Sequence, residues 1–176
     1  MSARPTAAEV AAALPGDDVV PDADVVMDTA FSLPAPPEQV WPWFVQLGKR
    51  RGGYYLPRWF ELAVPRSRRG LRHLDDGLLG LAVGDTIPDW GGRDATFTVD
   101  AMRPPHVLVH RSTRGHVRLT WAIVLRDEGD GTRVQLRLRL AGVRRRRLAE
   151  VLGGAADRGT VEGLALGLRE RVRARR

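Results

Sequence analysis

The sequence contains no cysteine. Disulfides, thiolate zinc sites and cysteine nucleophiles are therefore excluded, and the absence fits the reducing cytoplasm, where we expect the protein to reside. Lysine is also scarce, since Lys49 is the single lysine among 28 basic residues. No apolar run approaches the ~20 residues that are needed to cross a bilayer, so we expect no membrane-spanning segment.

The length and composition favour one folded domain preceded by a short arm. The chain has 176 residues, of which 43% are hydrophobic. A domain of this size buries roughly 70% of the surface that its unfolded chain exposes. Residues 1–23 are rich in Pro, Gly and Asp, which predicts an arm with at most one or two helical turns. We expect residues 24–176 to form a single ligand-binding domain.

The positive charge lies at one end of the chain. The net charge is +7, and residues 143–176 alone contain ten arginines against four acids. The run from Arg144 to Arg147 is the densest part, but it lacks the interleaved aromatics that are typical of nucleic-acid binding. We therefore expect it, together with Arg133, Arg137 and Arg139, to be a solvated face. A basic interaction module for nucleic acid or an acidic partner is the alternative.

The first half of the chain predicts a strand followed by short helices. Residues 25–33 alternate in polarity, as a half-buried strand does. Pro36 and Pro37 then open a helix whose apolar stripe ends at Leu47, with Gly48 as its C-cap. Pro42 predicts a kink, or a helix that is regular only after Trp41. A short helix over 57–64 and a surface loop over 65–80 follow.

The second half predicts antiparallel strands and a final helix. Strands are expected over 82–88, 95–102 and 107–110, and then as a hairpin in which 117–125 and 134–140 flank the turn sequence DEGDG. Gly153 and Gly154 predict a break, so the last helix is expected from about Asp157 to Arg175. Gly159, Gly163 and Gly167 form a GxxxG-type series, in which Gly159 and Gly163 fall opposite the apolar stripe. We expect these positions to face solvent, with a dimer contact as the alternative.

These elements predict an α+β fold. An amphipathic helix and a sheet with one apolar face must cover each other. The economical arrangement is a curved antiparallel sheet wrapped around the long C-terminal helix, with two short helices after the first strand closing one end.

Four segments resemble a known superfamily, namely LPAPPEQVWPWFVQLG, RGGYY, LAVGDTIPDW and GLALGLRERVRARR. They look like the SRPBCC (START-like) superfamily, whose helix-grip fold is shared by the major birch-pollen allergen and by polyketide cyclase/dehydratase-type lipid-binding proteins. The resemblance extends over residues 14–176. The sequence departs from it at Leu56–Trp59, where relatives tend to have a Tyr-Asp-Trp type sequence, and over residues 66–81. That region typically lines the cavity mouth, so the identity of the ligand is not implied.

The resemblance implies an apolar cavity between sheet and helix, which in members of the superfamily binds lipids, sterols or polyketides. We therefore expect a carrier or sensor of a small hydrophobic or amphipathic molecule, without a cofactor, as a monomer or a homodimer. The first alternative is an enzyme of the polyketide cyclase/dehydratase type. The basic interaction module is the second.

The candidate ligand-binding residues are mainly aromatic, and for several of them ordinary core packing is the alternative. The expected cavity residues are Trp43, Tyr54, Tyr55, Trp59, Trp90, Phe97, Trp121, Leu164 and Leu168. Two neighbouring residues, His110 and Arg111, are candidate polar groups in that cavity.

The sequence assigns neither a catalytic residue nor a metal ligand. His73 with Asp75 and Asp76 is the nearest approach to a metal motif, and it lies in a charged loop without a third ligand at a fixed spacing. Asp85 and Asp89 could form a carboxylate pair. Because Asp85 follows Gly84, we expect its side chain to bind local backbone in a turn instead.

Overall fold

The computed structural model describes residues 4–90, 94–143 and 146–174, with the backbone alone for 146–158. Among these residues, no helix is both long enough and apolar enough to cross a membrane. The helices are α1 (Ala7–Ala11), α2 (Pro37–Gln46), α3 (Arg58–Glu61) and α4 (Arg146–Arg173). The strands are β1 (Val25–Leu33), β2 (Thr86–Pro88), β3 (Thr96–Arg103), β4 (Val107–Arg114), β5 (Val117–Glu128) and β6 (Gly131–Ala141).

The six strands form one curved antiparallel sheet in the order β1-β6-β5-β4-β3-β2. Its inner face is apolar and packs against α4 and α2 in one buried core. The first strand lies beside the last one, with Val25 opposite Leu140 and Leu33 opposite Thr132. The fold is therefore α+β, and it is the helix-grip fold that the sequence predicted.

The strand predictions are confirmed at β1 and at the DEGDG hairpin. Gly129, with a φ of +59°, begins a two-residue turn between the paired residues Glu128 and Gly131. Glycine adopts this backbone conformation without steric cost. Strand β4 extends to Arg114, four residues further than predicted. Strand β2 starts only at Thr86, because Asp85 Oδ2 accepts a hydrogen bond from the Ala82 amide at 2.8 Å and closes the expected turn.

The first helix after β1 is regular from its start. Helix α2 begins at Pro37 and passes through Pro42, so the expectation that it would be regular only after Trp41 is wrong. The first turn forms because the Pro36 carbonyl accepts hydrogen bonds from Gln39 N at 3.0 Å and Val40 N at 3.2 Å. Leu47 is its C-cap, one residue before the predicted Gly48.

The last helix is longer than the sequence predicted. Helix α4 starts at Arg146 and continues through Gly153 and Gly154 without a break. An internal glycine costs about 1 kcal/mol of helix propensity relative to alanine, and α4 contains five glycines, so its stability has to come from packing against the rest of the fold. The predicted apolar stripe is confirmed by the buried residues Val161, Leu164, Ala165, Leu168 and Val172.

Two of the three helix glycines face protein, which corrects the prediction of a solvent-facing series. A Cβ atom at Gly167 would lie 2.5 Å from the Tyr55 carbonyl oxygen, and one at Gly163 would lie 3.2 Å from Leu56 Cδ2. Gly159 is exposed. Helix α4 therefore lies directly on the backbone of the segment that contains RGGYY, and a side chain at position 167 would hold it away.

Arg171 of α4 is completely buried and joins this helix to the segment 56–71. All five of its N–H donors have acceptors: Nε binds Leu71 O at 2.7 Å, Nη1 binds Leu56 O at 3.1 Å and Gly167 O at 3.0 Å, and Nη2 binds Glu61 Oε1 at 2.7 Å and Gly70 O at 3.2 Å. The guanidinium also lies 4.6 Å from the centre of the Tyr55 ring. Burial lowers the pKa of Arg171, and the Glu61 carboxylate opposes that shift.

The outer face of the sheet is covered by the N-terminal arm, so the expectation of a solvated arginine face is wrong for β6. Arg137 donates to the carbonyls of Val10 and Ala12 at 2.8 Å, which are acceptors that the short helix α1 leaves open. It also pairs with Asp28 of β1 at 2.9 Å and with Asp17 at 2.8 Å. The run Arg144–Arg147 lies outside the residues whose side chains are described.

We expect replacement of Arg171 by leucine to lower the free energy of unfolding by about 3–5 kcal/mol, because it leaves Glu61 and several carbonyls in the core short of a donor. Arg171→Lys should lose most of the same stability, since an ammonium cannot reach five acceptors. Chemical denaturation measures both. Arg173→Leu, at an exposed position of the same helix, is the control and should change stability by less than about 0.5 kcal/mol. A loss below about 1 kcal/mol for Arg171→Leu would contradict this role.

Glu9 should make the attachment of the arm sensitive to acid. Hydrogen bonds from Arg133 lower the pKa of Glu9 from 4.5 to about 2. Its contribution to stability is therefore complete above pH 4.5 and is lost as the pH falls towards 2. The difference in unfolding free energy between the wild type and Glu9→Gln should stay constant at neutral pH and shrink across this range. If the unfolding free energies of the wild type and Glu9→Gln differ by the same amount at every pH down to about 2, the Glu9–Arg133 ion pair is not formed.

Candidate functional site

A pocket of about 180 Å³ lies between the sheet and α4, and we call it the inner pocket. It brings together five of the predicted residues: Tyr54, Trp90, Phe97, Trp121 and Leu164. Its other lining residues come from the end of α2, from β2, from β6 and from α4: Leu47, Gly48, Ile87, Pro88, Asp89, Leu138, Thr160 and Val161. The lining is therefore mostly apolar and aromatic, as is typical of small-molecule sites.

The aromatic wall of the inner pocket follows from strand alternation. Phe97 of β3 and Trp121 of β5 point to the inner face, and His110 of β4 lies directly beside Trp121 in the sheet. The ring centres of Phe97 and His110 are 5.6 Å apart, and those of His110 and Trp121 are 5.7 Å apart. Phe97 and Trp121 are 6.1 Å apart. Phe97 and Trp121 line the pocket, and His110, which is not among its lining residues, lies between them on β4.

His110 is a buried, neutral imidazole behind this wall. It is 2% exposed, and neither ring nitrogen has a hydrogen-bond partner among the described residues. Burial lowers its pKa from 6.5 to about 4, and the charge of Arg51 adds to the shift. The group is therefore uncharged at neutral pH and has both a donor and an acceptor unused.

The inner pocket is polar at one end. Asp89 is buried and forms an ion pair with Arg114 of β4. Its backbone carbonyl accepts a hydrogen bond from Lys49 Nζ at 3.1 Å. The Arg114 guanidinium lies 5.6 Å from the centre of the Phe97 ring, and burial lowers its pKa. The sequence analysis did not identify Arg114, although alternation along β4 places it on the same face as His110.

Tyr54 separates the inner pocket from a second depression. Its hydroxyl donates to the Thr160 carbonyl of α4 at 2.8 Å, and its ring meets the Trp90 ring edge to face at 5.7 Å. On the other side lies the outer groove, with a volume of about 680 Å³. It is lined by Tyr54, Leu56, Pro57, Trp59, Phe60, Gly159, Thr160, Glu162, Gly163 and Leu166.

Several predicted residues do not line the inner pocket. Trp43, Tyr55 and Leu168 are fully buried in the main core. The Tyr55 hydroxyl donates to the Trp43 carbonyl at 3.0 Å, and burial raises its pKa well above the ordinary value. These three residues belong to the hydrophobic core and do not line the inner pocket.

Two further predicted residues lie on other surfaces. Trp59 is 68% exposed and belongs to the outer groove. Arg111 is exposed and pairs with Asp100 at 2.8 Å. Because neighbouring residues of a strand point to opposite faces, Arg111 and His110 cannot both face the inner pocket. Within the described ranges, no three His, Asp or Glu side chains are grouped so that they could hold a metal ion.

Comparisons with known proteins show which fold the chain has, but they do not show a family to which it belongs. No protein-family model matches the chain, and no curated protein matches it. Solved structures do match. The protein MLL2253 from Mesorhizobium loti is 18% identical, with 84% of this chain and 98% of that chain covered and a TM-score of 0.52.

Two further structures are similar to the same extent. CalU16 from Micromonospora echinospora is 18% identical over 85% of this chain and 84% of that chain, with a TM-score of 0.52. A protein from Rhodobacter sphaeroides is 15% identical over 89% of this chain and 97% of that chain, with a TM-score of 0.56. At these identities the similarity shows the helix-grip fold alone.

The buried state of His110 predicts a pH dependence of stability. Its pKa is about 4 in the folded protein and 6.5 in the unfolded chain, so the unfolded state takes up the proton first as the pH falls. Stability should therefore decrease between these two values by about 1.4 kcal/mol per pH unit from this group. In the His110→Phe variant, the slope of the unfolding free energy against pH, measured by denaturation across this range, should be smaller by that amount. An unchanged slope would mean that His110 is solvated.

Proposed function

We propose that this protein binds one small, largely apolar molecule in the inner pocket, as a carrier or a sensor. The observation that carries the proposal is the meeting of Tyr54, Trp90, Phe97 and Trp121, which come from separate parts of the chain, around one pocket between sheet and α4. Aromatic walls with a few polar groups are the usual composition of ligand sites.

The size of the inner pocket limits the ligand. A volume of about 180 Å³ is smaller than the roughly 300–1,000 Å³ that is usual for drug-sized ligands. A one-ring or two-ring compound would fill it. A sterol would require the Tyr54–Thr160 wall to move. We therefore expect small aromatic compounds to bind better than sterols or long fatty acids.

Catalysis is less well supported than binding. An enzyme of the polyketide cyclase/dehydratase type would need an acid or base that faces the ligand. The Tyr55 hydroxyl is bound to a core carbonyl, and Arg111 lies on the other face of the sheet. His110 is uncharged at neutral pH, so it is not available there as a cationic acid. Among the described residues, Tyr54 and Asp89 line the pocket with titratable groups. The Tyr54 hydroxyl is bound to the Thr160 carbonyl, and the Asp89 carboxylate is paired with Arg114.

We also propose that the chain belongs to the SRPBCC (START-like) superfamily. Two of the four segments on which the resemblance rests contact each other: RGGYY provides Tyr55, and GLALGLRERVRARR provides Gly167 and Arg171. They form the contact between α4 and the segment after α2, so they are tied to the fold. Residence in the cytoplasm stays a prediction that rests on the absence of cysteine.

Native mass spectrometry before and after solvent extraction, followed by titration with one-ring and two-ring aromatics, fatty acids and sterols, tests the proposal. Leu138→Phe narrows the inner pocket from the β6 side and should weaken binding of the best compound by about tenfold or more. Trp59→Ala changes the outer groove alone and should leave the affinity unchanged.

Two outcomes would contradict the proposal. One is the absence of any bound species together with no affinity for any compound in the panel. The other is binding that Trp59→Ala abolishes and Leu138→Phe leaves intact, which would assign the ligand to the outer groove.

A further inference from the structure

The segment 57–72 carries an exposed apolar cluster, made of Trp59, Phe60 and Leu62. Their exposed fractions are 68%, 45% and 72%. The ring centres of Trp59 and Phe60 are 5.6 Å apart, and Leu62 follows two residues along the chain. Large apolar side chains grouped on a surface indicate an interaction site.

Arginines surround this cluster. The segment contains five arginines and one glutamate, a net charge of +4. Arg69 donates to the carbonyls of Val64 at 2.8 Å and Leu62 at 3.4 Å, which folds the turn Arg66–Arg68 back beside the cluster. Within the described part of the chain, the guanidinium groups of Arg58, Arg66 and Arg68 make no ion pair and are exposed to solvent.

The one acid of the segment does not neutralise this surface. Glu61 is buried, and its carboxylate binds Arg171 at 2.7 Å and Arg72 at 2.9 Å. Glu170 of α4 accepts hydrogen bonds from the Arg58 amide at 2.9 Å and from Arg72 at 2.9 Å, and Glu162 lines the outer groove beside Trp59. Among the described residues, the guanidinium groups of Arg58, Arg66 and Arg68 still outnumber these acids around the apolar cluster. A tryptophan and a phenylalanine flanked by basic groups match the interface of an anionic bilayer, where rings sit among the headgroups and arginines bind phosphates.

We propose that segment 57–72 docks on an anionic lipid surface, with Trp59, Phe60 and Leu62 inserted at the interface and Arg58, Arg66 and Arg68 against the headgroups. This surface is distinct from the inner pocket, so the proposal does not depend on the function proposed above.

Other occupants fit the surface less well. A second copy would place one +4 segment against another, which is electrostatically repulsive. A single-stranded nucleic acid would require several open ring faces for stacking of successive bases. Here the edge of one ring occupies a face of the other in the Trp59–Phe60 contact, at an interplanar angle of 75°, and Leu62 offers no ring.

Co-sedimentation with vesicles tests the proposal on the full chain. Vesicles of about two parts phosphatidylcholine to one part phosphatidylglycerol should bind the protein, and pure phosphatidylcholine vesicles should bind it far more weakly. Binding should fall when salt is raised from about 0.1 M to about 1 M, because the screening length shortens from ~10 Å to ~3 Å.

Two variants separate the charged from the apolar contribution. Each arginine near an anionic surface contributes roughly a factor of five, so Arg66→Gln with Arg68→Gln should weaken partitioning about 30-fold. Trp59→Ala with Phe60→Ala should weaken it by about tenfold or more through lost apolar burial. Arg103→Gln with Arg118→Gln removes the same charge from exposed positions on the sheet and should retain most of the binding.

Thermal unfolding checks that each variant is folded, which is expected because the replaced side chains are exposed. The proposal is overturned if anionic vesicles do not bind the wild type, or if the Arg66/Arg68 and Arg103/Arg118 pairs of substitutions have equal effects. Binding of a single-stranded oligonucleotide without vesicle binding, or self-association that Trp59→Ala with Phe60→Ala abolishes, would also overturn it and would identify the other occupant.

Discussion

The buried guanidinium of Arg171 is the interaction on which the arrangement of this protein depends. Removing an ion from water costs several kcal/mol even after relaxation, and that cost is offset here because all five donors have acceptors and the ring of Tyr55 covers one face. The acceptors belong to α4, to α3 and to the backbone of segment 56–71. One side chain therefore fixes the position of the helix against the segment that begins with RGGYY.

That position determines both depressions of the molecule. Because Gly167 lets α4 lie on the Tyr55 backbone, Tyr54 reaches the Thr160 carbonyl and forms the wall between the inner pocket and the outer groove. The sheet supplies the opposite wall through Phe97 and Trp121. The same buried network engages Glu61, and among the described residues Arg58, Arg66 and Arg68 of segment 57–72 have no acidic partner. The buried Glu61–Arg171 ion pair and the exposed arginines of segment 57–72 are therefore related, because the core pair takes up the one acid of that segment.

Periodic segments could be predicted from the sequence, and segments fixed by distant partners could not. Alternation placed β1, the DEGDG hairpin and the wall residues Phe97 and Trp121, and helical spacing placed the buried stripe of α4. Tyr54 and Tyr55 lie in an irregular segment, where no periodicity tells which of the two faces the pocket. Arg137 was expected on a solvated face, and no pattern singled out Arg171, yet both are buried and their acceptors are mainly backbone carbonyls about 100 residues away or more.

Nuclear magnetic resonance of the arginine side chains tests the central claim most directly. If Arg171 binds five acceptors in the core, its guanidinium N–H groups should give separate resonances that exchange slowly with solvent, with rotation about the Cζ–Nη bonds blocked. Exposed arginines such as Arg66 and Arg173 should give averaged, rapidly exchanging signals. Averaged and rapidly exchanging signals for Arg171 would contradict the account, because its guanidinium would then not be held by the five acceptors that join α4 to segment 56–71.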